Sequence, residues 1–184
     1  MRKLIYAINL TIDGCFDHTK VTGGERMLDY FTNLLRDADL NVYGRITYQL
    51  MVPYWPDIAK NHPDETKAEI EFAQIFSSVK RVVFSRSLES ADENTRIVRT
   101  GLREEILKLK QEEGKNILVG GVDLPSQLIQ LGLIDEYYFV IHPVFAGEGK
   151  RLLEGVTLAE RLKLKLVDTK TFESGAVALH YLKD

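Results

Sequence analysis

The sequence has little of several features that mark particular classes of protein. Cys15 is the only cysteine, so no disulfide can form within the chain and a reducing compartment is expected. No apolar run has the ~20 residues of a membrane-spanning helix. The opening MRKLIYAINLTIDG is interrupted by Asn9 and Asp13 and therefore predicts a strand, not a signal peptide.

The chain also has little excess of either positive or negative charge. The net charge of −3 gives no overall attraction to nucleic acid or to an anionic membrane. His18, His62 and His180 form no metal-ligand spacing with one another or with Cys15, so we expect no metal site. These absences together predict a cytoplasmic protein.

The rest of the composition is that of a globular chain, with 45% hydrophobic and 28% charged residues over 184 positions. This length can bury a sizeable core, and residues 1–184 are expected to form a single domain. Strand-like and helix-like segments mostly alternate, which predicts an α/β fold with a mostly parallel central sheet and helices on both faces. RLKLKLVDTK and GAVALHYLK have no helix between them and predict an antiparallel C-terminal edge.

Several helices are predicted in more detail. TGGERMLDYFTNLL has a capping-box spacing between Thr22 and Glu25. RITYQLM predicts a short helix, followed by a loop over VPYWPD because of its two prolines. DETKAEIEFAQIFSSV predicts a longer helix.

Two adjacent glycines end the strand-like segment NILV. Gly120 and Gly121 precede a helix in which Asp123 is expected to act as the cap and Pro125 lies in the first turn. Free N–H groups at a helix start, with no side chain in the way, suit a phosphate. A tight turn that needs a positive φ explains the same glycines equally well.

Two further polar segments follow predicted strands. In YGRITY, Arg45 offers donors that fit a phosphate or carboxylate, and Thr47 adds a hydroxyl. In FSRSL, two hydroxyls flank Arg86 and suit a ribose phosphate. The alternatives are a solvent-facing arginine and an ordinary polar turn. Ligands of such sheets bind at the carboxyl ends of the strands, so the three segments predict one site.

These segments and their order resemble those of a known protein family. The resemblance extends over nearly the whole chain and is strongest over residues 115–155. LIYAINLTIDG, YGRITY, VVFSRSL and NILVGGVDLPSQLIQLGLIDEYYFVIHPVFAGEGKRLLEG are similar to segments of the dihydrofolate reductase-like fold. The sequence most closely resembles the reductase domain at the C-terminus of bifunctional riboflavin-biosynthesis enzymes and its stand-alone relatives. This resemblance implies NADPH as the cofactor.

The resemblance also implies which residues hold that cofactor. A cationic Arg86 beside the 2′-phosphate would favour NADPH over NADH. The implied contacts are Gly120, Gly121, Val122 and the neighbouring Asp123 at the pyrophosphate; Gly44, Arg45 and Thr47 on the opposite side of the phosphates; Ser85, Arg86 and Ser87 at the adenosine ribose; and Ala7 and Gly14 beside the nicotinamide.

The substrate half matches the family less well. Dihydrofolate reductases carry an acid just ahead of an aromatic pair on the first helix. Matching that pair to Tyr30 and Phe31 places Met27 at the position of the acid, and the helical wheel turns Asp29 towards solvent. Dihydrofolate is therefore not expected to be the physiological substrate.

Other residues are candidates for the substrate cleft. Tyr48 and Met51 lie one helical turn apart, and Trp55 stands between two prolines. Each has core packing as its alternative, and Met27 is counted with them as a substrate contact. His142 is interpreted as a structural histidine.

The predicted function is NADPH-dependent reduction of a C=N or C=O bond in a small pterin-, pyrimidine- or sugar-like substrate. One alternative is the ribosylaminopyrimidine phosphate reductase of riboflavin biosynthesis. Another is a non-catalytic NADPH-binding protein. A homodimer is possible by analogy with relatives, with EYYFVIHPVF as a contact.

Overall fold

The computed structural model describes residues 1–16, 24–62, 64–99 and 101–184. Its strands are β1 (Leu4–Thr11), β2 (Ala38–Gly44), β3 (Lys80–Phe84), β4 (Thr95–Val98), β5 (Asn116–Val119), β6 (Glu136–His142), β7 (Leu164–Thr171) and β8 (Val177–Lys183). Its helices are α1 (Glu25–Arg36), α2 (Arg45–Asn61), α3 (Lys67–Ser78), α4 (Leu102–Gln111) and α5 (Asp123–Gln130).

The eight strands form one sheet in the order β4-β3-β2-β5-β1-β6-β8-β7. Strands β1 to β6 pair in parallel, whereas β8 runs antiparallel to β6 and β7 antiparallel to β8. The predicted mostly parallel sheet with an antiparallel C-terminal edge is confirmed. In this topology the carboxyl ends of β1, β2, β3 and β5 all meet at one edge of the sheet.

Successive side chains of the central strands point to opposite faces of the sheet, and apolar side chains therefore enter a core on each face. On one face Tyr6 and Val42 pack with residues of α4 and α5, including Ile106 and Leu128. On the other face Tyr43 packs with α1, α2 and α3. Helices on both faces are therefore what these apolar strands require.

The predicted loop over VPYWPD is wrong, because α2 continues through Pro53 and Pro56 to Asn61. Each proline removes one N–H from the helical ladder. The face of α2 that carries Val52 and Ile58 is nevertheless buried. Packing of that face keeps the segment helical, so Trp55 lies on a helix and not in a loop.

Two helix starts also differ from expectation. α5 begins at Asp123 itself, with Val122 at the cap position and no side-chain cap, so Asp123 does not cap this helix. α3 begins at Lys67 because Thr66 and Glu69 form a reciprocal capping box. For α1, Gly24 occupies the cap position, while the predicted Thr22 contact and His18 lie outside the described residues.

In the parts of the chain that the structure describes, the helices are too short or too polar to cross a membrane.

Phe76 provides a test of the core between the sheet and α3. Its side chain is 1% exposed and lies near Tyr43 and Phe72. We expect Phe76→Ala to lower the free energy of unfolding by about 3–5 kcal/mol in urea titrations, because it loses burial and leaves a cavity. Phe145→Ala removes the same side chain from a site that is 71% exposed. Equal losses for the two variants would contradict this packing.

Candidate cofactor and substrate cleft

A cleft of about 1820 Å³ opens where β1, β2, β3 and β5 end. The three polar segments of the sequence analysis, YGRITY, FSRSL and the turn at Gly120 and Gly121, lie together on the walls of this cleft. The predicted residues that line it are Ala7, Gly44, Arg45, Thr47, Met51, Trp55, Ser85, Arg86, Ser87, Gly120, Gly121, Val122 and Asp123. The cleft is therefore assembled from segments that are far apart in the sequence.

Other predicted residues lie elsewhere. Met27 is buried against Val140 and Phe172, so it packs in a core and does not face the cleft. Tyr48 is also buried, and its hydroxyl donates to Asp92 Oδ2 at 2.9 Å. Gly14 forms the turn after β1, where its N–H donates to the Thr11 carbonyl. Core packing, which was the alternative for Tyr48, is what the structure shows, and the prediction of Met27 as a substrate contact is wrong because it packs in a core as well.

The turn after β5 explains both glycines. Gly121 has a φ of +89°, which side chains rarely adopt. A Cβ on Gly121 would lie 2.2 Å from Thr47 Oγ1, and one on Gly120 would lie 2.7 Å from Tyr43 Cε1. The turn is held from the other side by Tyr6, whose hydroxyl donates to the Gly121 carbonyl at 3.0 Å. The chain therefore passes against the first turn of α2 with no room for side chains.

Three helices begin at the cleft: α2 after Gly44, α4 after Gly101 and α5 after Val122. None of the three has a side-chain cap, which is also true of α1, whereas α3 has a full capping box. Uncapped helix starts present free N–H groups and the positive end of the helix dipole. The cleft is therefore suited to an anion.

Cationic side chains strengthen this preference. Among the described residues, those that line the cleft are Arg45, Arg86, Arg99 and Lys150, with Asp123 as the one carboxylate. Arg45 also donates to Gln49 at 2.8 Å on the surface of α2. A bound phosphate would meet several donors and a positive field here.

Arg99 was missed by the sequence interpretation. Its guanidinium donates to the carbonyls of Arg86 and Leu88 at 3.2 and 2.8 Å, so it fixes the loop after β3. Ser85 contributes from within the loop, where its Oγ accepts from the N–H groups of Ser87 and Leu88. The signal was available in TRIVR, an arginine directly after a strand, in the same pattern as Arg86.

The other half of the cleft is apolar. Leu28 and Phe31 of α1 face Met51 and Trp55 of α2, and Trp55 lies 4.4 Å from Phe72 between ring centroids. Along α2 an exposed apolar stripe also borders the cleft, made of Ile46, Leu50 and Tyr54. Asp29 is exposed on α1, as predicted. This half is suited to a flat, largely apolar ligand.

Two asparagines, both missed by the sequence interpretation, bring polar groups to this half. Asn9 of β1 lines the cleft, and its Oδ1 lies 3.0 Å from Nε2 of the buried His142. Asn41 of β2 also lines the cleft and is 1% exposed. Within the described part of the chain neither polar atom of Asn41 has a hydrogen-bond partner. Their strand positions gave no signal, since an asparagine in an apolar strand predicts neither burial nor a site.

Asp13 ties the turn after β1 to the loop that carries Gly149 and Lys150. Its carboxylate accepts from Thr11 Oγ1 at 2.6 Å and from the N–H groups of Ala146 and Gly147. These hydrogen bonds, that of Thr11 first, hold the pKa of Asp13 below its ordinary value. The loop that borders the cleft is therefore anchored to β1.

Because the glycine turn has no room for side chains, adding one methyl group at Gly121 should lower the free energy of unfolding markedly. Gly147→Ala is a matched control, because Gly147 has a φ of +76° and open space around it. We expect about 1–2 kcal/mol of lost stability from backbone strain in Gly147→Ala. Gly121→Ala should lose about 1–3 kcal/mol more through its clash with Thr47. Adding Thr47→Ala should restore part of this loss in urea titrations, and no difference among the variants would contradict the packing.

The orphaned amide of Asn41 predicts a stabilising substitution. Leaving one buried polar group unpaired costs about 1–3 kcal/mol. Asn41→Leu keeps the branched shape of the side chain and removes both polar atoms, so we expect the free energy of unfolding without ligand to rise by about 1–3 kcal/mol. Asn33→Leu, at an exposed position of α1, should change it by less than about 0.5 kcal/mol. A loss of stability in Asn41→Leu would show that the amide is satisfied.

Comparisons with known proteins agree with this geometry. The family model of the RibD C-terminal domain matches residues 2–178. YyaP of Bacillus subtilis (strain 168) is 35% identical over 184 residues, covering 98% of this chain and 94% of that protein.

Two solved structures share the fold. A protein from Shewanella sp. PV-4 named for riboflavin biosynthesis has a TM-score of 0.76 at 17% identity, with 99% of each chain covered. Dihydrofolate reductase from Enterococcus faecalis, complexed with NADP(H), has a TM-score of 0.65 at 14% identity and covers 99% of this chain and 96% of that one. The predicted dihydrofolate reductase-like fold is thus confirmed, and the chain belongs to the RibD C-terminal domain family.

Proposed function

We propose that residues 1–184 act as a single NADPH-dependent reductase domain that reduces a C=N or C=O bond of a small heterocyclic substrate. The observation that carries the proposal is the convergence of three uncapped helix starts and four cationic side chains in one cleft. A pyrophosphate and a third phosphate, as in NADPH, would meet these donors. Membership of a reductase family supports the same chemistry.

The residues present fit NADPH. The backbone at Gly120 and Gly121 would meet the pyrophosphate between the starts of α2 and α5, and Thr47, which packs directly against Gly121, would lie beside it. Arg86, on the loop that Arg99 fixes, would hold the 2′-phosphate. Ala7 of β1 would lie against the nicotinamide. The cleft volume exceeds the roughly 300–1,000 Å³ of pockets for drug-sized ligands, which leaves space for a second molecule.

When bound, the cofactor supplies the hydride. This chain would contribute orientation and exclusion of water. Leu28 and Phe31 on one wall and Trp55 on the other would hold a flat substrate against β1. The loop anchored by Asp13 borders the cleft on the side of α5, where Lys150 and Val122 line a common surface.

The charge of the side chains in the substrate half distinguishes the proposed function from the ribosylaminopyrimidine phosphate reductase. Within the described residues its walls are apolar and carry amides but no cationic side chain beyond those at the cofactor half. A ribosylaminopyrimidine phosphate would need a second cationic cluster for its own phosphate. This favours a substrate without a phosphate. The expectations of a homodimer and of a cytoplasmic location stay predictions.

The cofactor is tested by titrating the protein with NADPH and NADH. Trp55 is the only tryptophan and lines the cleft, so its fluorescence reports binding. We expect tighter binding of NADPH than of NADH, and Arg86→Ala should weaken NADPH binding about tenfold to a hundredfold, which corresponds to a charge-assisted hydrogen bond of about 1.5–3 kcal/mol. NADH binding should change little, because it lacks the 2′-phosphate.

Arg103→Ala is the matched control, since Arg103 is exposed on α4 and points to the Leu131 carbonyl. If neither nucleotide binds, the cleft is not a dinucleotide site and the proposal fails. Turnover is then measured with pyrroline, dihydropterin and ribose as imine and carbonyl probes. Binding of NADPH without reduction of any probe would support the non-catalytic alternative.

A further inference from the structure

Asn9 occupies an unusual place in the cleft. It follows Ala7 by two residues on β1, so both side chains lie on the same face of the sheet, and both line the cleft. Its neighbour on β6 is Val140, which packs against Met27 of α1. Met27 stands where the resemblance places the acid of dihydrofolate reductases. Asn9 thus brings a polar group close to the place that this acid would serve.

His142 determines how the Asn9 amide is turned. His142 is the last residue of β6, is paired with Thr11 of β1 and is 2% exposed. The atom of Asn9 that faces Nε2 at 3.0 Å is the carbonyl oxygen, so Nε2 carries the hydrogen and donates it. Burial lowers the pKa of His142, which favours the neutral form of the ring. With Oδ1 held by His142, the two Nδ2 hydrogens are left for the cleft.

We infer that Asn9 is a catalytic residue of the proposed reductase, donating a hydrogen bond from Nδ2 to the carbonyl oxygen or imine nitrogen of the substrate. His142 is a positioning residue that holds the amide in this orientation. The inference rests on the proposed function, since it assigns a role in that reaction. It deepens that function by identifying the group that polarises the bond to be reduced.

The role follows from the electron balance of the reduction. The carbon of the C=O or C=N bond gains the hydride, and the π electron pair moves onto the oxygen or nitrogen. NADPH is thereby oxidised to NADP⁺, and water supplies the proton that completes the alcohol or amine. Asn9 neither gains nor loses a proton. Its N–H stabilises the charge that develops on the heteroatom, as donors of an oxyanion hole do.

A hydrogen bond from Asn9 to the nicotinamide carboxamide is the competing role. That contact would be made in the binary complex and would act on NADPH affinity. A contact to the reacting heteroatom would act on kcat, because the charge develops only in the transition state. Separate measurement of NADPH Kd and kcat therefore distinguishes the two.

The orientation is tested first, by nitrogen-15 NMR of the histidine rings without any ligand. We expect the resonance assigned through a His142→Gln variant to show the neutral Nε2–H tautomer. An Nδ1–H tautomer would turn the Asn9 amide around and overturn the inference, whatever the protein reduces. This measurement does not depend on turnover and so separates failure of the inference from failure of the proposed function.

Kinetics test the role, with NADPH and the imine and carbonyl probes pyrroline, dihydropterin and ribose. Asn9→Ala should lower kcat about a hundredfold, near the lower end of what loss of an oxyanion-hole donor costs. NADPH Kd should stay within about twofold of the original value. Asn33→Ala, on the exposed side of α1, is the matched control and should leave kcat unchanged.

Variants of His142 test the positioning. His142→Leu should lower kcat to a similar degree, and His142→Gln, which keeps a donor at the same distance along the side chain, should recover most of it. The double variant Asn9→Ala/His142→Leu should be no slower than Asn9→Ala alone, because residues that act as a unit are non-additive. Additive losses, or an Asn9→Ala variant that changes NADPH Kd but not kcat, would overturn the inference.

Discussion

The cleft depends on one geometric constraint, the parallel pairing of β1, β2, β3 and β5. Parallel strands place all their carboxyl ends at the same edge, and each following segment must leave from that edge. The turn at Gly120 and Gly121 can follow β5 there because Tyr43 and Thr47 occupy the space that side chains would need. The same parallel register brings Arg45 and Arg86 near this turn from β2 and β3.

The two halves of the cleft differ in how they treat charge. At the cofactor half, the starts of α2, α4 and α5 leave backbone donors unpaired, which is costly unless water or an anion meets them. At the substrate half, α1 and α2 supply apolar walls, and two asparagines supply neutral polar groups. A charged group would be poorly stabilised there, since the amides carry no net charge and the walls are apolar.

His142 illustrates how a core residue can acquire a role in a site. It is buried, makes its hydrogen bond to a cleft residue and lies at the end of β6, next to β1. The interpretation of this histidine from the sequence, as structural, describes its packing correctly. It could not include Asn9, which is 133 residues away in the sequence. Polar pairs across neighbouring strands follow from register, which a single sequence does not reveal.

The sequence by itself determined the order of strands and helices, the parallel sheet with its antiparallel edge, and the three polar segments at strand ends. These follow from local patterns, namely the hydrophobic period and the turn residues. Tertiary structure decided that α2 runs through Pro53 and Pro56, because packing of its buried face outweighs two lost hydrogen bonds. It also decided that Met27 and Tyr48 pack in cores while Asn9 and Asn41 reach the cleft. Those outcomes depend on which elements lie opposite one another, and contacts between distant segments are fixed only when the chain is folded.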